Sequence, residues 1–99
     1  MKIAIVSPPW FPVPPTGYGG IEWIVWLLAE GLTAQGHDVT LFASGDSRTN
    51  ARLEAVYPVA PSEQIGRTMP DLRHLLHPLV QAGEFDVIND HTGPLGAVL

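Results

Sequence analysis

Short apolar runs alternate with longer segments of helical periodicity along this chain of 99 residues. Residues 2–7 contain consecutive Ile, Ala, Ile and Val positions, which is typical of a strand buried on both faces of a parallel sheet. Residues 21–35 and 69–82 repeat apolar side chains with the period of a helix, which predicts two amphipathic helices. The other predicted strands, rich in β-branched, aromatic or aliphatic residues, are residues 39–43, 53–57 and 86–90.

Each predicted helix has an apolar side that we expect to face the sheet. In the first helix this side consists of Ile21, Ile24, Val25, Leu28 and Leu32. In the second helix it consists of Met69, Leu72, Leu76, Leu79 and Val80. Trp23, Trp26 and Glu30 lie on the opposite side of the first helix, and two solvent-facing tryptophans predict a cover from a partner or from another part of the fold. Pro78 is expected to kink or split the second helix, and residues 95–99 to begin another.

The alternation of strands and helices predicts an α/β fold with a parallel sheet and right-handed crossovers. We expect a partial Rossmann-like three-layer domain with the strand order 3-2-1-4 and helices on both faces. Strands one and four are then neighbours at the point where the winding direction changes. Ligands of such sheets bind at the carboxyl ends of these strands, so a binding site is expected there.

The connection between the first strand and the first helix, residues 7–22, is longer than the ~2–6 residues that such a connection needs. It contains five prolines, Pro8, Pro9, Pro12, Pro14 and Pro15. Gly17, Gly19 and Gly20 precede the helix, whose first N–H groups and partial positive charge suit a phosphate. Glu22 would compete with a bound anion, so we interpret it as a residue that shapes the loop by hydrogen-bonding its backbone. This stiff loop is predicted to bind a ligand.

Other nucleotide motifs match poorly. The segment that begins at Gly17 lacks the third glycine of a dinucleotide fingerprint, although Asp46 follows strand two at a suitable distance. A fragment of a nicotinamide or flavin oxidoreductase stays a weak alternative. The chain has no Gly-Lys-Ser/Thr sequence, which excludes P-loop nucleotide hydrolysis.

Four histidines occur, and one of them is a candidate site residue. His37 lies in a turn, where a structural role is the default. His74 and His77 have no cysteine or third ligand nearby, so we interpret them as surface residues and not as a metal pair. His91 follows the fourth strand at the predicted crevice, where it could bind a sugar hydroxyl or transfer a proton; the alternative is a histidine that caps the loop. Asp90 precedes it and faces the other side of the strand, so the two are not a catalytic pair.

Composition excludes several classes of function. The net charge is −5 and the five Lys and Arg residues are scattered, which disfavours nucleic-acid binding. The chain has no cysteine, so disulfides and thiolate catalysis are excluded. No apolar run approaches the ~18 residues of a membrane span, and the apolar run after Lys2 is too short for a signal peptide. These features predict a cytoplasmic protein. A peripheral location at the membrane is the alternative.

Three segments together resemble a known family. The segments Met1–Val6, Gly19-Gly20-Ile21-Glu22 and Gly36-His37-Asp38-Val39-Thr40, the last preceded by Leu28, Ala29 and Leu32, are similar to the N-terminus of the family-four retaining glycosyltransferases. Residues 86–91 resemble the fourth-strand segment of these enzymes, which often ends in a histidine on the acceptor side of the cleft. The resemblance covers almost the whole chain and implies the GT-B architecture, in which two Rossmann-like domains face each other across a cleft.

The resemblance also implies roles for particular residues. The N-terminal domain of such an enzyme mainly binds the acceptor, and its Gly-Gly loop, here Gly19 and Gly20, contacts the diphosphate of a nucleotide-sugar donor. Gly17, Tyr18 and Thr92 are expected to contribute further donor or substrate contacts, with His91 as the catalytic candidate. The complete protein is expected to be a hexosyltransferase that needs no cofactor and no metal.

A complete enzyme of this family is much longer, so residues 1–99 are expected to be a truncated, acceptor-side subdomain without the C-terminal nucleotide-sugar domain. We expect this piece to be inactive by itself. We also expect self-association through the exposed edge of strand four or through the Trp23/Trp26 face. A non-catalytic interaction module with a Rossmann-like half-fold is the alternative function.

Overall fold

The computed structural model describes residues 1–17, 19–65 and 67–92. Tyr18 and the helix expected at residues 95–99 lie outside these described residues. Four strands are present, β1 (Lys2–Val6), β2 (Asp38–Phe42), β3 (Arg52–Glu54) and β4 (Val87–Asp90). The two α-helices are α1 (Gly20–Ala34) and α2 (Thr68–Val80), and short 3₁₀ turns occupy Ser62–Gln64 and Ala82–Glu84.

The four strands form one parallel sheet in the order β3-β2-β1-β4, as predicted. β1 is central, and its last residue Val6 is in register with Phe42 of β2 and with Asp90 of β4. Val25 and Ala29 of α1 pack on one face of the sheet, and Leu75 of α2 packs on the other. The prediction of a partial Rossmann-like three-layer α/β domain is therefore confirmed.

Helix α1 faces the sheet with part of its predicted side, because Val25, Leu28 and Leu32 pack against the core. Val25 and Ala29 are fully buried, whereas Ile21 and Ile24, which were expected in the core, are exposed. Trp26 is covered by another part of the fold, which is one of the two covers expected for it, since its side chain is partly buried and packs against the core. Its Nε1–H donates a hydrogen bond to the Arg48 carbonyl at 3.2 Å, so the ring is turned toward the loop after β2.

Helix α2 departs further from the prediction. All five residues of its predicted core stripe are 39–83 % exposed: Met69, Leu72, Leu76, Leu79 and Val80. Among the side chains of α2 that the structure describes, the buried ones are instead Pro70, His74, Leu75 and Pro78, so the interpretation of His74 as a surface residue is wrong. The helix continues through Pro78 and ends two residues later at Val80, so the expected split does not occur.

Across the described residues, no helix is both long and apolar enough to cross a membrane.

Candidate functional site

The candidate site lies at the carboxyl ends of β1 and β4, where the sheet order predicts it. The two strands are paired, and the pairing continues one residue further, since the backbone N–H of His91 donates to the Val6 carbonyl at 2.9 Å. The loop of residues 7–19 leaves the end of β1 and leads to the first residue of α1. The proline-glycine loop and the His91 loop therefore both lie at the carboxyl ends of the strands.

The proline-rich part of the loop is held by contacts with distant segments. Val13 is fully buried, and its N–H donates to Ser47 Oγ at 2.9 Å. The Val13 carbonyl accepts a hydrogen bond from the Arg48 N–H at 2.7 Å. The Trp10 carbonyl accepts another from the Ser62 hydroxyl. These bonds tie the loop to the segments that follow β2 and precede α2.

A buried histidine supports the start of this loop. His74 Nε2 lies 2.7 Å from the carbonyl oxygen of Ser7, the first residue after β1. Because the carbonyl can only accept, Nε2 carries the proton and donates it. Burial lowers the pKa of His74 to about 4, against the opposing effect of the bond to Ser7, so the ring is neutral at pH 7. The sequence interpretation missed this residue, although its position four residues from both Pro70 and Pro78 puts all three on one side of α2.

The two glycines at the start of α1 have different surroundings. Gly19 is buried, and a Cβ there would lie 2.7 Å from Pro15 Cγ and 3.0 Å from Glu22 Oε1. Packing alone therefore requires a glycine at position 19. Gly20 is exposed and has no atom within 4 Å of a Cβ position, and the same is true of Gly17. Internal packing does not explain why Gly20 is a glycine.

Glu22 is buried beside Gly19 of this loop. Its side chain is 6 % exposed although it sits in the first turn of α1, and its Oε1 is next to the Gly19 backbone. This position is compatible with the loop-shaping role that the sequence suggests, which stays a prediction.

Thr92 and Asp90 form a local turn after β4. Asp90 Oδ1 accepts hydrogen bonds from the Thr92 N–H at 3.1 Å and from the Thr92 hydroxyl at 2.7 Å. The hydroxyl proton of Thr92 is thus engaged, and its oxygen can only accept from a ligand. None of the hydrogen bonds between described residues joins this turn to the glycine loop.

His91 carries a polar atom without a partner. Its Nε2 is buried and makes no hydrogen bond within the described part of the chain. Buried polar side-chain atoms are hydrogen-bonded in the large majority of cases. A ligand at this nitrogen would supply the missing bond, but Nε2 would first have to be uncovered.

The predicted site residues do not line the open groove of about 440 Å³ beside α1. Its lining consists of Pro14, Trp26, Glu30, Arg48, Thr49 and Asn50. Glu30 Oε1 accepts from Thr49 Oγ1 at 2.6 Å and from the Asn50 N–H at 2.9 Å, and Oε2 accepts from Asn50 Nδ2 at 2.7 Å. Burial alone raises the pKa of Glu30, but these hydrogen bonds outweigh it and hold the pKa below the usual value.

Within residues 1–17, 19–65 and 67–92, no three His, Cys, Asp or Glu side chains are grouped so that they could hold a metal ion.

A parallel Rossmann-like sheet whose first helix begins with glycine at the carboxyl ends of the strands is typical of domains that bind nucleotides at that position. Residues 18–99 match the family model described as Glycosyltransferase Family 4, and the chain belongs to this family. The resemblance seen in the sequence is thereby confirmed for the N-terminal part of a family-four glycosyltransferase. A comparison with individually curated proteins found no match.

Proposed function

We propose that the complete protein transfers a hexosyl group from a nucleotide-sugar donor to an acceptor in the cytoplasm, with retention of configuration. In this proposal the protein has the GT-B architecture, and residues 1–99 form the acceptor side of its cleft. The nucleotide is held by a C-terminal domain. The observation that carries the proposal is membership of glycosyltransferase family 4. The shared sheet edge of the glycine loop and the His91 loop supports it.

Gly20 is the residue that we propose as the main contact to the donor diphosphate. It is the first residue of α1, it is exposed, and no packing contact requires its lack of a side chain. A glycine there lets a diphosphate approach the backbone N–H groups at a helix N-terminus, where the helix dipole favours negative charge. A side chain at position 19 would collide with Pro15. We therefore propose that Gly19 shapes this backbone and also contacts the diphosphate.

The remaining roles rest on the resemblance to the family. We propose that Gly17, Tyr18 and Thr92 add donor or substrate contacts, with the Thr92 hydroxyl accepting a hydrogen bond. His91 is the proposed catalytic residue, and we propose that its buried, unpaired Nε2 is uncovered when substrate binds and then bonds to a substrate hydroxyl. We propose that no metal or other cofactor takes part.

The test is a substitution of Gly20 by valine in the complete enzyme. The side chain has open space, so folding is preserved, while the methyl groups block the approach of the diphosphate. We expect turnover to fall by at least ~100-fold, as for the loss of a backbone donor to a developing charge. The matched control is Gly83→Val, because Gly83 is also exposed with no atom within 4 Å of its Cβ position.

Two results would argue against this assignment. Unchanged turnover in the Gly20→Val enzyme, with the thermal midpoint of unfolding also unchanged, would remove the diphosphate contact. Turnover of a nucleotide-sugar by the 99-residue chain alone would show that it is not merely one side of a cleft.

A further inference from the structure

The backbone is held from three sides at the point where β1 passes into the proline-glycine loop. The Ser7 N–H donates to the Phe42 carbonyl of β2 at 3.0 Å, and the Val6 carbonyl accepts from the His91 N–H at 2.9 Å. The Ser7 carbonyl accepts from Nε2 of His74 on α2 at 2.7 Å. The first two bonds join backbone atoms, so only the third depends on the identity of a side chain.

His74 occupies a position of α2 where packing by itself would accept an apolar residue. Among the side chains of α2 that the structure describes, it is the only polar one that is buried, and its buried neighbours on the helix are Pro70, Leu75 and Pro78. Burial of an imidazole is unfavourable unless its polar atoms are hydrogen-bonded. The carbonyl of Ser7, and not the packing of α2 on the sheet, therefore explains why a histidine stands at this position.

The Ser7 carbonyl belongs to the peptide group that joins β1 to Pro8. Pro8 and Pro9 are both buried, and proline fixes φ at about −65°. Because so few backbone torsions are free, the orientation of this peptide group sets the direction in which the loop leaves the sheet. Further along the loop, Pro15 packs closely against Gly19, which precedes the first residue of α1. The bond at Ser7 therefore bears on where the start of α1 lies.

We propose that His74 is a positioning residue for the transfer reaction, because its hydrogen bond to Ser7 orients the proline-glycine loop so that the backbone at Gly20 meets the donor diphosphate. The inference rests on the proposed function, since it requires a diphosphate at Gly20. His74 contacts no substrate in this role and acts only through the loop. A displacement of about 1 Å at a group that contacts the reacting atoms is enough to lower the rate by a large factor.

Two substitutions of similar length separate the hydrogen bond from the volume of the side chain. His74→Gln keeps an N–H donor for the Ser7 carbonyl, whereas His74→Met has none. In the complete enzyme with saturating nucleotide-sugar, we expect the kcat of His74→Met to fall about 10-fold and that of His74→Gln to stay within ~3-fold of wild type. His74→Leu is a second variant without a donor and replaces His74→Met if that protein does not fold.

The matched control for lost stability is Leu75→Ala. Leu75 is the next residue of α2 and is also buried, but it packs among Ala4, Val6 and Phe42 and has no polar atom that could bond to the loop. Well below the thermal midpoint, its kcat should stay within ~3-fold of wild type. A loss as large as that of His74→Met would mean that activity follows the stability of α2 alone, and the proposal would be wrong.

A double variant tests whether His74 acts through the loop. Gly20→Val is expected to remove the diphosphate contact by itself, so adding His74→Met should lower kcat by less than ~2-fold more. If the second substitution instead lowers kcat by its full factor, His74 acts independently of Gly20 and is not the positioning residue that we propose.

Hydrogen exchange distinguishes failure of this inference from failure of the proposed function. The Ser7 N–H is bonded to the Phe42 carbonyl and the Val13 N–H to Ser47 Oγ. Both amides should exchange at least ~10-fold faster in His74→Met than in His74→Gln, whether or not sugar is transferred. A wild-type enzyme that transfers no sugar would refute the proposed function, whereas equal exchange and equal kcat in the two variants would overturn the positioning role of His74.

Discussion

Helices α1 and α2 cover opposite faces of one sheet but bury different kinds of side chain. α1 buries the small residues Val25 and Ala29 and packs Trp26, Leu28 and Leu32 around them, whereas α2 buries Leu75 and the imidazole of His74. Both helices leave larger aliphatic residues in solvent. The apolar pattern identified part of the buried side of α1 and none of the buried side of α2, so fit to each face of the sheet contributes to which side is buried.

The two faces of the sheet explain this difference. Successive side chains of a strand point to opposite faces, so Ile3 and Ile5 of β1 project toward α1, and the smaller Ala4 and Val6 project toward α2. Interiors are packed to the density of organic crystals, so large groups on one element require small ones opposite. Phe42 occupies the rest of the α2 face, with the rings of His77 and Phe85 edge-on at 5.5 Å and 5.8 Å between centroids.

The largest expected effect distinguishes two neighbouring leucines of α2. Leu75 is 2 % exposed and Leu76 is 48 % exposed. Leu75→Ala should lower the free energy of unfolding by ~2–5 kcal/mol, because it removes buried groups and leaves a cavity. Leu76→Ala should change it by less than ~0.5 kcal/mol. Urea unfolding followed by circular dichroism measures both, and a larger loss for Leu76→Ala than for Leu75→Ala would show that α2 faces the sheet with the side predicted from sequence.

The next effect concerns the buried polar group on α2. The pKa of His74 is about 4 in the folded chain and 6.5 when unperturbed, so the unfolded state binds more protons between these pH values. Stability should therefore decrease as the pH falls from about 6.5 to 4, by about 3 kcal/mol in total for this residue.

His74→Gln provides the comparison, because its amide can still donate to Ser7 but does not titrate. We expect unfolding midpoints in urea to depend less steeply on pH for this variant than for wild type. Parallel pH profiles of the two proteins would mean that His74 is protonated in the fold or is solvated.

The smallest effect tests the polar side of α1. Glu30→Gln replaces a carboxylate that accepts three hydrogen bonds from Thr49 and Asn50. The new side-chain NH₂ group then faces a hydrogen-bond donor, so at least one of these bonds is lost. We expect a loss of about 1 kcal/mol at pH 7. Because the pKa of Glu30 is lowered in the fold, the difference should shrink as the pH falls through that pKa. Glu63→Gln, at an exposed position, should have no effect; a similar loss there would indicate a general charge effect.

Much of the architecture was predictable from local pattern. The consecutive apolar residues of β1 and the strand–helix alternation predicted the parallel sheet and its order, because few topologies satisfy right-handed crossovers. The strand ends were less accurate, and β3 is Arg52–Glu54 instead of residues 53–57. Only the location of the candidate site was predictable, because the strand order places the two loops together. The difference in space around Gly19 and Gly20 was not, because it depends on how Pro15 and Glu22 pack against Gly19.

The amino-acid sequence by itself determined the helices and strands, the strand order and the family. The reason is that periodicity, turn residues and family motifs are patterns of residues close together in the chain. The tertiary structure alone decided which helix sides are buried and that His74 is a neutral donor to Ser7. These properties depend on the volume and polarity of groups far apart in the chain. The proline-glycine loop shows both parts. Its length predicted a binding element, which stays a proposal, and only its packing distinguishes Gly19, where a side chain would collide with Pro15, from Gly20, which has open space.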